Sequence, residues 1–115
     1  MTFSQILNKR MEYFCRSEPK GIYSLYSEKS KLKEFFPTAE SYAEHFAKIE
    51  IEQTPIGIEV FRETTEQDSI GEALYIEIFR KGSSAVKFYS KTTFIKENDT
   101  WKILDDKREE QYIKD

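Results

Sequence analysis

The sequence predicts an α+β domain in which N-terminal helices are followed by a four-stranded, mostly antiparallel sheet. Two observations carry this. Apolar residues recur at helical spacing up to about residue 50. From Ile51 onward the chain turns to runs of β-branched and aromatic residues broken by short polar turns. A third, the length of 115 residues, suits a single domain over 1–115, with helices across about 3–50, the sheet across about 51–106 and a short charged C-terminal tail.

The first helix rests on Phe3, Ile6, Leu7, Met11 and Phe14, spaced by threes and fours, with Lys9, Arg10 and Glu12 largely off that stripe. Glu18, Pro19 and Gly21 interrupt it, and a second short helix is expected to carry Ile22, Leu25 and Tyr26. Phe36-Pro37-Thr38 sets up a third helix. Thr38 is its expected N-cap, Ser41 stands where a capping-box glutamate would, and Ala39, Tyr42, Ala43, Phe46 and Ile49 form the buried face.

The strand-like runs are "PIGIEVF", "EALYIEIF", "AVKFYSKTTFI" and "WKIL", separated by "RETTEQDSIG", "KGSS" and "ENDT". A two-residue turn at Asn98-Asp99 sets Phe94 opposite Ile103 and Lys96 opposite Trp101. A three-residue loop at Gly82-Ser83-Ser84 would gather Leu74, Ile76, Ile78, Val86 and Phe88 on the same apolar face as Phe94, Trp101 and Ile103. A two-residue loop would put Glu77 there instead, so burial favours the longer loop. The opposite face would then hold Tyr75, Glu77, Phe79, Lys87, Tyr89, Lys91, Ile95 and Leu104. That is an unusually aromatic set for a face left in water. Symmetric pairing of two such faces would hide the rings and let Glu77 meet Lys87 or Lys91, so a homodimer interface is expected at Tyr75, Glu77, Phe79, Lys87, Tyr89 and Lys91. The alternative is a solvated sheet face with cross-strand ion pairs.

Composition excludes several classes. Net charge is −3 with no isolated basic stripe, so nucleic acid is not the expected partner. One cysteine, Cys15, excludes an internal disulfide, and one histidine, His45, excludes two-histidine metal sites. No metal or other cofactor is expected. Cys15 lies near the C-terminal end of the first helix, where the dipole disfavours a thiolate. The N-terminus lacks a sustained apolar run, and no segment is long and apolar enough to span a membrane, so a cytoplasmic location is expected.

The order of elements, ending in "FIKENDTWKILD", with "SEPKGIYSLYSE" before "FPTAESYAEHF", resembles the nuclear transport factor 2-like (NTF2-like) superfamily of cystatin-like cones. The resemblance implies a curved sheet of four or more strands wrapped around the helices, a pocket at the open end of the cone, and frequent dimerisation through the outer sheet face. That superfamily includes isomerases, dehydratases, epoxide hydrolases, transport adaptors and many proteins of unknown function, so fold alone does not choose an activity.

Strand alternation puts Asp105 with Trp101 and Ile103 on the inner face and Asp106 on the outer, which prevents a close carboxylate pair. Asp105 is thus the acid placed to reach a pocket, although "DDKREEQYIKD" also reads as a solvated tail. His45, about 60° from Tyr42 on a helical wheel, stands at the margin of the buried stripe. Ser90 and Thr92 interrupt the apolar face between Phe88 and Phe94 and could orient a ligand. The expected pocket is therefore Tyr26, Tyr42, His45, Ser90, Thr92, Trp101 and Asp105, holding a small, largely apolar ligand. Asp105 and His45 are the weak catalytic candidates, and Tyr23 is a possible rim residue. Three functions follow: a homodimeric ligand-binding domain without catalysis, an interaction module whose cone is filled by its own aromatics, and a small isomerase, dehydratase or hydrolase acting on an apolar substrate.

Overall fold

A computed structural model describes the backbone of residues 1–114 and the side chains of residues 1–109. Four helices come first: α1 (Phe3–Cys15), α2 (Pro19–Ser24), α3 (Lys31–Phe35) and α4 (Ala39–Phe46). Four strands follow: β1 (Thr54–Glu66), β2 (Ile70–Lys81), β3 (Ser84–Glu97) and β4 (Thr100–Lys114). They pair antiparallel in the order β1-β2-β3-β4, a meander in which every strand neighbours the next in sequence.

Local chemistry explains the helix starts. Thr2 accepts from the Gln5 amide while the Gln5 side chain accepts from the Thr2 amide, a full capping box. Thr38 and Ser41 form the same reciprocal pair at α4, with serine replacing the usual glutamate. The added helix α3 is capped by Ser30, whose hydroxyl accepts from the Lys33 amide. The α4 stripe ends at Phe46, so Ile49 falls beyond the helix and is exposed rather than buried.

Two turns set the register. Asn98 and Asp99 both have positive φ, as a two-residue I′ hairpin requires, and Phe94 lies opposite Ile103 and Lys96 opposite Trp101, as expected. The β2–β3 loop differs from expectation. Lys81 pairs with Ser84, so the turn is the two residues Gly82-Ser83, with Gly82 at φ 63° as the first position of a II′ turn. The faces of β2 are consequently exchanged. Ala73, Tyr75, Glu77 and Phe79 point inward with Phe88, Ser90, Thr92 and Phe94, while Leu74, Ile76 and Ile78 point outward. Tyr75, at 1% exposure, and Phe79 are therefore core residues and not surface ones.

Bulges reshape both edge strands. In β4, Phe94 pairs with Ile103 but Thr93 pairs with Asp105, so Leu104 is a bulge that reverses the alternation beyond it. Asp106 and Arg108 then face inward, opposite Thr92 and Ser90, and Asp105 faces out. Beyond Asp106 the charged run continues as strand, its backbone pairing with β3 as far as Lys114 opposite Val86, rather than forming a tail. On β1, Ile56 and Phe61 are the extra residues at two bulges, and both are exposed.

The core joins α1 to the sheet: Phe3, Ile6, Leu7, Leu25, Ala73, Tyr75, Phe94 and Ile103. At one end the cone is closed. Phe3 stacks on Phe94 with centroids 4.3 Å apart and meets the edge of Trp101 at 4.9 Å. The helical layer is also stitched to the exposed edge of β4, since Ile103 donates its amide to the Leu25 carbonyl and accepts from the Ser27 amide.

Gly71 makes the stacked end possible, because a Cβ there would lie 2.1 Å from the Phe3 ring. That ring is held between Phe94 and Trp101 and has nowhere to go. Gly71→Ala is expected to cost about 1–3 kcal/mol by overpacking, measured as a lowered denaturant midpoint with an unchanged m-value.

Candidate functional site

Away from the closed end, the helices and the sheet separate around a cavity of about 350 Å3. Leu7, Met11 and Phe14 of α1, Ile22 of α2, Pro55 and Ile58 of β1, and Phe79 of β2 supply its apolar wall. The polar wall is made by two arginine–carboxylate pairs.

The first pair is Arg10 with Asp106. Arg10 Nη1 donates to Asp106 Oδ1 at 2.8 Å and to the Tyr26 hydroxyl at 2.9 Å, and Nη2 donates to the Tyr75 hydroxyl at 3.0 Å. Asp106 also accepts from Thr92 Oγ1 at 2.7 Å and from the Tyr26 hydroxyl at 2.9 Å. Because the Thr92 proton goes to Asp106, the 2.6 Å contact between Tyr75 and Thr92 must have Tyr75 as donor. Each hydroxyl therefore donates once and accepts once, and the network closes on itself.

The electrostatics agree with this closure. Burial alone would raise the Asp106 carboxyl, but the Arg10 charge and the hydrogen bonds from Thr92, Arg10 and Tyr26 outweigh it and hold the group below the usual range. Burial likewise works against the Arg10 charge, yet its surroundings leave the guanidinium even harder to deprotonate than usual. Burial pushes the Tyr26 and Tyr75 phenols up, so both remain protonated donors. Asp106 at neutral pH is an ionised carboxylate that accepts three hydrogen bonds, an arrangement suited to holding structure.

The second pair is Glu77 with Arg108. Glu77 Oε1 accepts from Ser90 Oγ at 2.6 Å, from Arg108 Nη2 at 3.0 Å and from Arg108 Nε at 3.3 Å. The Arg108 guanidinium lies over the rings of Phe79 and Phe88, at 5.1 Å and 5.0 Å from their centroids. Glu77 is largely covered, with 16% of its side chain exposed, whereas Arg108 keeps 50% and stands at the cavity mouth.

Of the residues expected in the pocket, Tyr26, Tyr42 and Ser90 line the cavity, and Thr92 stands behind it as a partner of Asp106. Trp101 packs on Phe3 at the closed end instead. His45 is exposed, its ring against Phe36 at 4.8 Å, and Asp105 is turned outward by the Leu104 bulge. Tyr23 donates to the Phe36 carbonyl at 2.7 Å. The exposed Cys15 thiol lies 3.5 Å from the Pro55 carbonyl. Tyr75 and Glu77, expected at a dimer face, are cavity residues, as is Phe79. Sequence reasoning missed Arg10, Asp106 and Arg108. The off-stripe position of Arg10 hid it, and the bulge hid the other two. Among the described residues no cluster of three or more His, Cys, Asp or Glu could hold a metal.

Because the Asp106 carboxyl is lowered in the folded state, its stabilisation is present in full above the usual value of 3.8 and is lost as pH falls below it. Asp106→Asn is expected to lower stability at pH 7 by about 2–3 kcal/mol, since the side chain is only partly covered. The variant's stability should fall less steeply than the parent's below pH 4. Denaturant melts across pH 2–7 read both effects.

No protein-family model matches the chain, and no curated protein matches it by sequence. Solved structures do resemble it. A domain of unknown function with a cystatin-like fold from Nostoc punctiforme PCC 73102 superposes with a TM-score of 0.73 at 12% identity, over 94% of this chain and 74% of that one. An NTF2-like protein of unknown function from Shewanella oneidensis MR-1 gives 0.60 at 14% identity, over 90% and 93%. A second, from Pseudomonas putida KT2440, gives 0.60 at 11% identity, over 90% and 80%. With its helices packed on one side of a curved antiparallel meander, this chain has the cystatin-like fold of the NTF2-like proteins.

Proposed function

We propose that this domain is a homodimeric, non-catalytic binding protein that holds a small, largely apolar molecule in the cone. The observation that carries the reading is the cavity itself. Its size falls at the low end of the roughly 300–1,000 Å3 typical of small-molecule sites, and it combines an apolar wall with a few polar groups. A cone filled by its own aromatics would make a pure interaction module, but here Phe3, Phe94 and Trp101 fill only the closed end.

The ionised, three-bonded state of Asp106 and the placement of His45 outside the cavity favour binding over chemistry. One observation favours the second reading, a small isomerase, dehydratase or hydrolase on an apolar substrate. Glu77 is a carboxylate on the cavity wall whose described hydrogen bonds all fall on Oε1. The free, exposed thiol of Cys15 suits a reducing compartment, and we extend the reading to the cytoplasm.

The outer sheet face supports the dimer with a different residue set from the one the sequence suggested. Leu74, Ile76 and Ile78 share it with Lys87, Tyr89, Lys91 and Ile95, and Phe61, 57% exposed, meets the edge of Tyr89 at 6.4 Å. Glu59 lies opposite Ile76 on the β1 side. A two-fold contact would cover the apolar stripe formed by Leu74, Ile76 and Ile78.

Native mass spectrometry of the purified protein is expected to show a dimer carrying extra mass that denaturation releases. Ile76→Asp should shift it to a monomer with an unchanged circular dichroism spectrum. A wild-type monomer at micromolar concentration contradicts the dimer. Failure to retain any apolar molecule from a broad mixture contradicts the binding reading.

A further inference from the structure

Rings from four parts of the chain line the cavity: Phe14 of α1, Tyr26 after α2, Tyr42 of α4 and Phe79 of β2. The Met11 thioether joins them. Aromatic edges and a polarisable sulfur attract a π face more than a saturated surface of the same area. Arg108 adds a cation to this lining. Its Nε and Nη2 both donate to Glu77 Oε1, at 3.3 and 3.0 Å, which holds one edge of the guanidinium in place. The guanidinium carbon stands 5.1 Å from the centre of the Phe79 ring and 5.0 Å from that of Phe88. Half of the Arg108 side chain is nonetheless exposed, and the residue belongs to the cavity wall. A planar cation held in this way has lost much of its freedom before a ligand arrives, so little ordering cost is left for binding.

We propose, resting on the binding reading above, that the occupant is a neutral planar aromatic molecule whose ring stacks on the Arg108 guanidinium. The ring becomes a further π partner for a cation that already has two. A saturated ring of the same skeleton would cover Leu7, Ile22 and Ile58 equally well. It would offer the guanidinium no π face, and would displace water from the cation without replacing what the water supplied. An aliphatic occupant is therefore accepted by the apolar wall and penalised at the mouth. Arg108 is already paired with Glu77, and Arg10 with Asp106, so a neutral ring leaves both pairs balanced.

Amide-shift NMR titration of the full chain with 2-phenylethanol and 2-cyclohexylethanol tests this, because the two probes share tail and hydroxyl and differ in the ring. The aromatic probe is expected to bind about fivefold or more tighter, even though the saturated ring is the more apolar of the two. Arg108→Lys keeps a positive charge beside Glu77 but leaves no fixed plane to stack on. It should cut the preference to about twofold or less and leave 2-cyclohexylethanol within about twofold of the parent. Arg108→Met, which removes the cation altogether, should cut the preference in the same way. Circular dichroism melts establish that each variant folds. Equal binding in the parent, tighter binding of 2-cyclohexylethanol, or a preference undiminished in either folded variant overturns the stacking inference and leaves the pocket standing. No shift of any cavity-lining amide with either probe overturns the pocket reading and this inference together.

Discussion

The partly covered pair between Arg10 and Asp106 is the interaction around which the molecule is organised. Its members lie 96 residues apart, one on the first helix and one on the last strand, and their three supporting hydroxyls come from the segment after α2, from β2 and from β3. The network therefore ties the helical layer to three of the four strands, beside the apolar core that joins the same elements. Burying such a pair is favourable only when every donor and acceptor is matched, and here the tyrosine and threonine hydroxyls complete the matching. The same hydrogen bonds hold Asp106 in its ionised form. A feature that on a list of pocket residues would suggest a catalytic centre is, by its hydrogen bonds, a structural latch.

The latch also shapes the cavity. By holding α1 over β4 it fixes Leu7, Met11 and Phe14 as an apolar wall facing Ile58 and Phe79. The second pair, Glu77 with Arg108, is built differently. Its acid is deep and half-used, its arginine spans two aromatic rings at the mouth, and all described contacts of the carboxylate fall on one oxygen. The two pairs divide the labour of the cone: one secures the layers, the other lines the cavity.

Much of the architecture was legible in the sequence. The apolar stripe of α1, the Thr38–Ser41 cap and the Asn98-Asp99 hairpin all follow from local rules, because each is decided by residues a few positions apart. The site was less legible, for two physical reasons. The burial rule argued against placing Glu77 inside, yet the arginine that makes this tolerable is 31 residues away, where no local pattern reveals it. Gly82, whose positive φ suits a two-residue turn, was the signal that pointed the other way. The bulge at Leu104 carries no glycine or proline to mark it, and it alone exchanges Asp105 for Asp106 on the inner face. His45 has the chemistry of a site residue, but its ring lies against Phe36, outside the cavity.

A double-mutant cycle on Arg10→Met and Asp106→Leu tests the organising role of the latch most directly. Each single change strands a charged partner and several hydroxyls, whereas the double change removes both charges together. The account predicts a coupling of about 1–3 kcal/mol in denaturant melts, with the double variant much less destabilised than the sum of the singles. Additive effects would mean that the two groups do not act as a pair, and would contradict the account at its centre.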